Sequence, residues 1–368
     1  MESDSLKPCR VRRSLEDVLM ESHIVGYILG TAVGDAIGLP YEGVSRTRSP
    51  RLLGPPDRHR FLFRRGMVSD DTEHTCMVAQ SLIASGADVE EFTRQFARRL
   101  KWWFLALPAG IGLATLRSSI KLCFGVSPKS SGVFSAGNGP AMRAAIFGAT
   151  FDDVDRMVEF VRASSRVTHS DPKAEYGAIA VALAAHCACR NPQISASVFV
   201  DQVSEILGAA GCEFLELLRS VAESVSEQQS TQDFAAQMGL TRGVSGYVYH
   251  TVPVAIHAWL SSPQDYRRAV MSVIECGGDA DTTAAIVGGI VGTAVGERGI
   301  PPEWLQGLCD YPRTIDWMRR LAGQLAESID AGSGGAPLRL NTVAVLLRNV
   351  FFVVVVLFHG FRRLLPPY

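Results

Sequence analysis

Between Ile24 and Ile37 the chain reads IVGYILGTAVGDAI, with glycine at positions 26, 30 and 34. Glycine every fourth residue draws a stripe without side chains down one face of a helix, so a neighbouring helix can approach almost to backbone contact. A membrane span is the rival reading, and it fails on the short length and on Asp35. The motif Gly30-Thr31-Ala32-Val33-Gly34-Asp35 has a near copy in Gly292-Thr293-Ala294-Val295-Gly296-Glu297. The two segments read either as an internal repeat or as two small-residue packing helices.

Helical periodicity continues around this pair. Phe92, Phe96, Leu100 and Trp103 fall on one helical face, as do Val154, Met157, Val158 and Val161, and Phe214, Leu217, Leu218 and Val221. Residues 174–189 form an alanine-rich apolar helix, and residues 251–260 another, with Tyr247 and Tyr249 before it. Alternating strand patterns are nearly absent through residue 330. The expectation is an all-α fold with one compact multi-helix domain over residues 21–330.

A hydrophobic content of 47% in 368 residues supports a substantial core. The net charge of -1 gives no electrostatic footprint for nucleic acid. Eight scattered cysteines without a CxxC pair read as buried free thiols in a reducing compartment. No signal-peptide core is visible, so the default is a cytoplasmic monomer. Residues 1–20 form a polar leader, residues 43–66 a long Arg-, Pro- and Gly-rich loop, and residues 331–340 a flexible linker. A hydrophobic tail, residues 341–368, follows. It carries Arg348, which would cost roughly 2–3 kcal/mol near a bilayer centre. Two readings stay open: membrane association through residues 341–363, or a helix or strand packed on the body or on a partner.

The chemistry concentrates in oxygen-bearing clusters. Ser69-Asp70-Asp71-Thr72 and Asp279-Ala280-Asp281-Thr282-Thr283 offer only carboxylates and hydroxyls. Hard oxygen ligands suit Mg²⁺ or Mn²⁺, and a pair of divalent cations would relieve repulsion among four carboxylates in one pocket. Each cluster alone is also what an ordinary helix start looks like. Ser135-Ala136-Gly137-Asn138-Gly139-Pro140 is a glycine loop before a helix start, either an ordinary turn or a seat for phosphate. Asp35 reads as a local backbone hydrogen-bonder, and Glu42 as a loop acid or a functional one. His169 reads as a structural hydrogen-bonder, Tyr247 as core or as a stacking partner for a base, and His74 as an exposed helix residue.

Taken in order, GDAIGLPYE (34–42), SDDTEHT (69–75), SAGNGPAMR (135–143), TH (168–169), GYVYHTVPVAIHA (246–258) and GGDADTTAAIVG (277–288) resemble the ADP-ribosylglycohydrolase family. The resemblance spans residues 24 to about 325. It implies an all-α fold, a dinuclear Mg²⁺ or Mn²⁺ centre, and hydrolysis of the bond joining ADP-ribose C1″ to a modified side chain. The implied metal ligands are Ser69, Asp70, Asp71, Asp279, Asp281 and Thr282, with serine at position 69 where many members have threonine. Ser135, Gly137, Asn138 and Gly139 match the loop that holds the diphosphate and ribose; His169 matches a cleft histidine, and Tyr247 is the implied stacking partner.

Glu42 is the implied proton acceptor, with the ligand aspartates Asp70, Asp71 and Asp281 as the other candidates. Two departures from the family pattern stand out. Gly110 occupies a position that is acidic in some bacterial relatives, and Ala136 one that is aromatic in some members. The substrate is expected to be an ADP-ribosylated protein. The alternatives are a small derivative such as O-acetyl-ADP-ribose, or ADP-ribose binding without turnover.

Overall fold

The computed structural model describes residues 15–86 and 88–364. Residues 1–14 of the expected leader and the last four residues of the tail lie outside them. The described chain is a bundle of helices, and its only sheet among the described residues pairs Val44–Ser45 antiparallel with Gly277–Gly278.

Two helices form the axis, Leu15–Gly38 and Ala280–Val295. Their small-residue stripes face one another. A Cβ added at Gly26 would stand 2.1 Å from the Gly292 carbonyl oxygen, one at Gly30 2.2 Å from that of Gly288, and one at Gly34 2.2 Å from that of Ala284. The partner number falls as the glycine number rises, so the helices run antiparallel. The near-copied motifs therefore belong to two helices that pack on each other, and the first helix lies inside the protein.

This packing fixes where the site can form. Antiparallel contact brings the C-terminal end of one helix to the N-terminal end of the other, with Gly38 against Ala280 and Asp281. The short sheet continues that junction, so Glu42 and the Asp279–Thr282 segment emerge at the same end.

Other helices close around the axis. The faces anticipated at Phe92, Phe96, Leu100 and Trp103, and at Met157, Val158 and Val161, are buried. The apolar helix expected from residue 251 begins three residues earlier, at Val248, so Tyr249 is inside it and stacks on Phe214 at 4.9 Å. His74 corrects the expectation of an exposed residue. It is fully buried, edge-on to Trp103 at 4.6 Å, because the helix Asp70–Ser85 is covered by the helix Val89–Leu105.

The stretch after residue 330 is also tied down. Gly335 N–H donates to the Ile83 carbonyl, and Gln80 donates to that of Leu338. The tail forms a helix, Thr342–Leu364. Val345, Arg348, Asn349, Phe352, Val355 and His359 face the body and are buried, whereas Val343, Leu347, Val350, Val354, Phe358 and Phe361 face outward. Phe352 packs on Phe61 at 5.4 Å, and His359 Nε2 donates to the Phe61 carbonyl at 2.6 Å. This helix is long and apolar enough by composition to cross a membrane, but Arg348, Asn349 and His359 within it face protein rather than solvent.

Candidate active site

The helix Asp70–Ser85 begins at Ser69, whose hydroxyl accepts from Asp71 N–H at 3.3 Å and donates to Asp71 Oδ2 at 2.9 Å. Its start is held from outside by Asp35, fully buried on the first axial helix. Asp35 Oδ2 accepts from Ser69 N–H at 2.8 Å, Thr72 N–H at 3.3 Å and Thr72 Oγ1 at 2.5 Å. Asp35 does hydrogen-bond to backbone, as expected, but its partners are 34 and 37 residues away rather than local. Its partners are the first free N–H groups of another helix, which favour a carboxylate.

The second acid cluster meets the first here. Thr282 Oγ1 donates to Asp71 Oδ2 at 3.3 Å, joining segments 211 residues apart. Asp279 is the N-cap of the Ala280–Val295 helix, and its Oδ2 accepts from Asn138 Nδ2 at 2.7 Å. Asn138 in turn reaches Thr251 Oγ1 at 3.0 Å, and its N–H donates to the Gly246 carbonyl. The glycine loop is thereby fastened to the acid cluster.

Burial dominates the electrostatics. Asp71 and Asp281 are nearly inaccessible, and burial together with neighbouring carboxylates holds both well above the usual carboxylate range. For Asp281 the neighbours are Glu42, Asp279, Asp71 and Asp35. Asp70 is raised likewise by burial, Asp35, Glu73 and Glu42. Asp35 is pushed up to about 7 by burial, against the pull of its hydrogen bonds. Asp71 Oδ1 and Asp281 Oδ1 are buried without a hydrogen-bond partner, which is costly unless a cation or proton satisfies them.

Among the described residues no three His, Cys, Asp or Glu side chains already form a metal cluster. The donors at this site are carboxylates interleaved with the hydroxyls of Ser69 and Thr282. Orphaned acidic oxygens and an all-oxygen donor set fit a hard divalent cation.

Beside the acids lies a cleft of about 340 Å³, lined among others by Glu42, Asp70, Ser135, Gly137, Asn138, Gly139, His169, Asp279, Asp281 and Thr282. A larger hollow of about 860 Å³, beside Val295–Arg298, contains none of the acid motifs. His169 explains two glycines: a Cβ at Gly139 would stand 2.9 Å from its Cε1, and one at Gly137 3.1 Å from its Nε2. Its Nδ1 pairs with Thr168 Oγ1 at 2.9 Å, and burial pushes it down to about 3, so the ring is neutral. Glu42 sits exposed at the rim.

Tyr247 does not line the cleft, although its neighbour Gly246 does. Its ring lies against Tyr249 at 5.6 Å and His250 at 5.0 Å, and its hydroxyl accepts from Lys173 Nζ. Ala136 contributes backbone, its carbonyl accepting from Val248 N–H.

Some residues escaped the sequence reading. Arg143, fully buried, donates to the Gly139 carbonyl at 2.8 Å, to Thr168 Oγ1 at 2.7 Å and to Ser164, and meets His74 Nδ1 at 3.1 Å. One guanidinium thus fastens the glycine loop to the helix Val154–Thr168 that leads into His169. An arginine among apolar residues after a glycine loop was the available signal. Thr115 and Leu113 also line the cleft, and so does Gly110, the position that departs from the acid of some bacterial relatives. Gly110 has φ +81°, and a Cβ there would be 3.7 Å from Asp70 Oδ1, so this chain presents bare backbone to that carboxylate.

The ADP-ribosylglycohydrolase family model matches residues 16–334, which takes in both axial helices and every cleft motif. The chain belongs to the ADP-ribosylglycohydrolase family. A protein of Archaeoglobus fulgidus without an assigned function is 33% identical over 84% of this chain and 97% of its own. ADP-ribosylhydrolase ARH3 of Gallus gallus is 28% identical over 82% of this chain and 92% of its own. ADP-ribosyl-[dinitrogen reductase] glycohydrolase of Rhodospirillum rubrum is 27% identical over 81% and 96%. A solved ADP-ribosylglycohydrolase-related protein complex superposes with TM-score 0.61 at 23% identity, covering 84% of this chain and 98% of that one, which shows a shared fold. The family consists of glycosidic-bond hydrolases acting on ADP-ribose, and metal dependence is general in it.

Proposed function

We propose that this hydrolase cleaves the C1″ glycosidic bond of ADP-ribose attached to a protein side chain, with two Mg²⁺ or Mn²⁺ ions at the acid cluster. The observation that carries the reading is Asp71: Ser69 and Thr282 both donate to its Oδ2, while its Oδ1 and that of Asp281 are buried and unpartnered. Ser69, Asp70, Asp71, Asp279, Asp281 and Thr282 would hold the ions. When bound, these supply Lewis acidity at the ribose and ease ionisation of a water at neutral pH.

The chain's own residues supply position and proton transfer. Ser135, Gly137, Asn138 and Gly139 offer backbone and amide groups for the diphosphate and ribose, close to the carboxylates. Neutral His169 backs this loop and keeps it open. The water oxygen would bond to C1″ as the bond from C1″ to the side chain breaks with its electron pair on the leaving atom. Glu42 at the rim would take the water's proton, and the departing side chain would receive that proton. The bare backbone at Gly110 leaves Glu42 as the exposed acid of the cleft.

Purified protein with Mn²⁺ should release ADP-ribose from ADP-ribosyl-arginine, ADP-ribosyl-serine or O-acetyl-ADP-ribose, compared side by side. Asp281→Ala should abolish release yet remain folded, because it removes a buried carboxyl crowded by others. Full activity in that variant, or in excess EDTA, would sink the metal-assisted reading. Turnover of O-acetyl-ADP-ribose alone would move the substrate to a small derivative, and tight ADP-ribose binding without turnover would make the protein a sensor.

A further inference from the structure

The segment that starts the acid helix is gripped from two sides. On one side stands Asp35. On the other stands the C-terminal helix Thr342–Leu364, which lies beyond residue 334, where the family match ends. Arg348, buried on its inner face, donates through Nη2 to the Val68 carbonyl at 2.5 Å. The same nitrogen donates to Asp310 Oδ2 at 2.6 Å, with Nε at 3.2 Å. Asp310 Oδ2 also accepts from Val68 N–H at 3.2 Å, so both backbone groups of the residue before Ser69 are held by this ion pair.

One helical turn further on, Arg348 Nη1 donates to Glu73 Oε1 at 3.0 Å. Arg313 Nη1 lies 2.9 Å from the same oxygen, and Glu73 Oε2 accepts from Trp103 Nε1. Asn349 anchors the arginine's own backbone neighbourhood, its amide donating to the Ala106 carbonyl at 2.8 Å. A single guanidinium therefore spans the two flanks, Val68 and Glu73, of Ser69-Asp70-Asp71-Thr72. A planar fork of five donors can do this, and a lysine ammonium cannot reach all three acceptors at once.

We propose that Arg348 is a positioning residue for the acid cluster, and that the C-terminal helix is a working part of this hydrolase's site. By fixing the Val68–Ser69 peptide and the Glu73 turn, it sets where the Ser69 hydroxyl and the Asp70 and Asp71 carboxylates stand. The inference rests on the reading that these residues hold divalent ions. Groups that orient metal ligands without touching the metal typically contribute about 10–100-fold in affinity.

The test is calorimetric titration of the metal-free full chain with Mn²⁺, beside kcat and KM and a thermal melt. Arg348→Met should weaken Mn²⁺ binding by at least about tenfold, and Arg348→Lys, which keeps the charge against Asp310 and Glu73, by a smaller factor. Val355→Ala removes apolar docking on the same helix, about two turns beyond Arg348 in the cluster with Leu39, Phe61 and Met67, and leaves the arginine's contacts in place, including the Phe352 ring 4.3 Å from its guanidinium. It should lower the melting temperature and leave Mn²⁺ affinity unchanged. Wild-type affinity in both arginine variants, or an equal loss in Val355→Ala, would overturn the positioning role. If the methionine variant does not fold, the lysine variant and Val355→Ala decide alone. Asp71→Ala separates the premise: if it binds Mn²⁺ like the wild type, the metal reading fails, and the inference with it.

Discussion

Replacing Gly30 by alanine tests the axis on which the site is built. In an isolated helix this change is favourable by about 1 kcal/mol, because alanine loses less backbone entropy on folding. Here the new Cβ would stand 2.2 Å from the Gly288 carbonyl oxygen, 3.0 Å from its carbon and 3.1 Å from the Gly292 Cα. All three are backbone atoms of a helix buried along most of its length, so no side chain can rotate away. Relief requires the two axial helices to separate. Overpacking a well-filled core costs typically about 1–3 kcal/mol, and a backbone obstacle belongs at the upper end or beyond. The net expectation is a destabilisation of about 2 kcal/mol after the helical gain is subtracted.

Gly360 is the matched control. It also lies inside a helix, yet a Cβ there meets nothing within 4 Å, so Gly360→Ala should gain up to about 1 kcal/mol. Urea unfolding followed by circular dichroism gives both shifts, with opposite signs expected. If Gly30→Ala unfolds at the wild-type urea concentration or higher, backbone contact between these helices is not what the glycine stripe provides.

Two further predictions concern buried polar groups. Asp35→Ala strands the N–H groups of Ser69 and Thr72 in a fully buried place, at about 1–3 kcal/mol for each unpaired donor, and should reduce activity by freeing the start of the acid helix; a melt and a turnover assay check both. His257 is fully enclosed among Ser224, Thr231 and Ser261, and burial pushes it down to about 4 from 6.5. The unfolded chain thus binds the proton first as pH falls. The neutral ring's contribution is whole above pH 6.5 and is lost down to pH 4, at about 3 kcal/mol in total. His257→Gln should flatten that part of the acid stability profile, and an unchanged slope in urea midpoints between pH 6.5 and 4 would refute the assignment.

What the sequence determined by itself is local and chemical. Helical periodicity, the glycine stripe and the sparse strand signal led to an all-α body, since spacing along a chain dictates which side chains share a face. The two acid motifs revealed oxygen-donor chemistry because residue type sets donor type. Capping patterns placed Ser69 and Asp279 at helix starts, where the structure has them.

Only the tertiary structure decided who meets whom. That Thr282 reaches Asp71, that Asp35 caps a helix it does not belong to, and that Arg143 fastens the glycine loop are contacts between distant segments, and no local pattern encodes them. His74 looked exposed because its burial comes from a neighbouring helix. Arg348 shows the difference most plainly. In sequence it is a charge interrupting a hydrophobic tail, costly in a bilayer. In the folded protein Asp310 and Glu73 accept from it, and its place beside Val68 follows from how the last helix lies across the first turn of the acid helix. The meaning of a charge depends on what solvates it, and in this fold that is settled by packing.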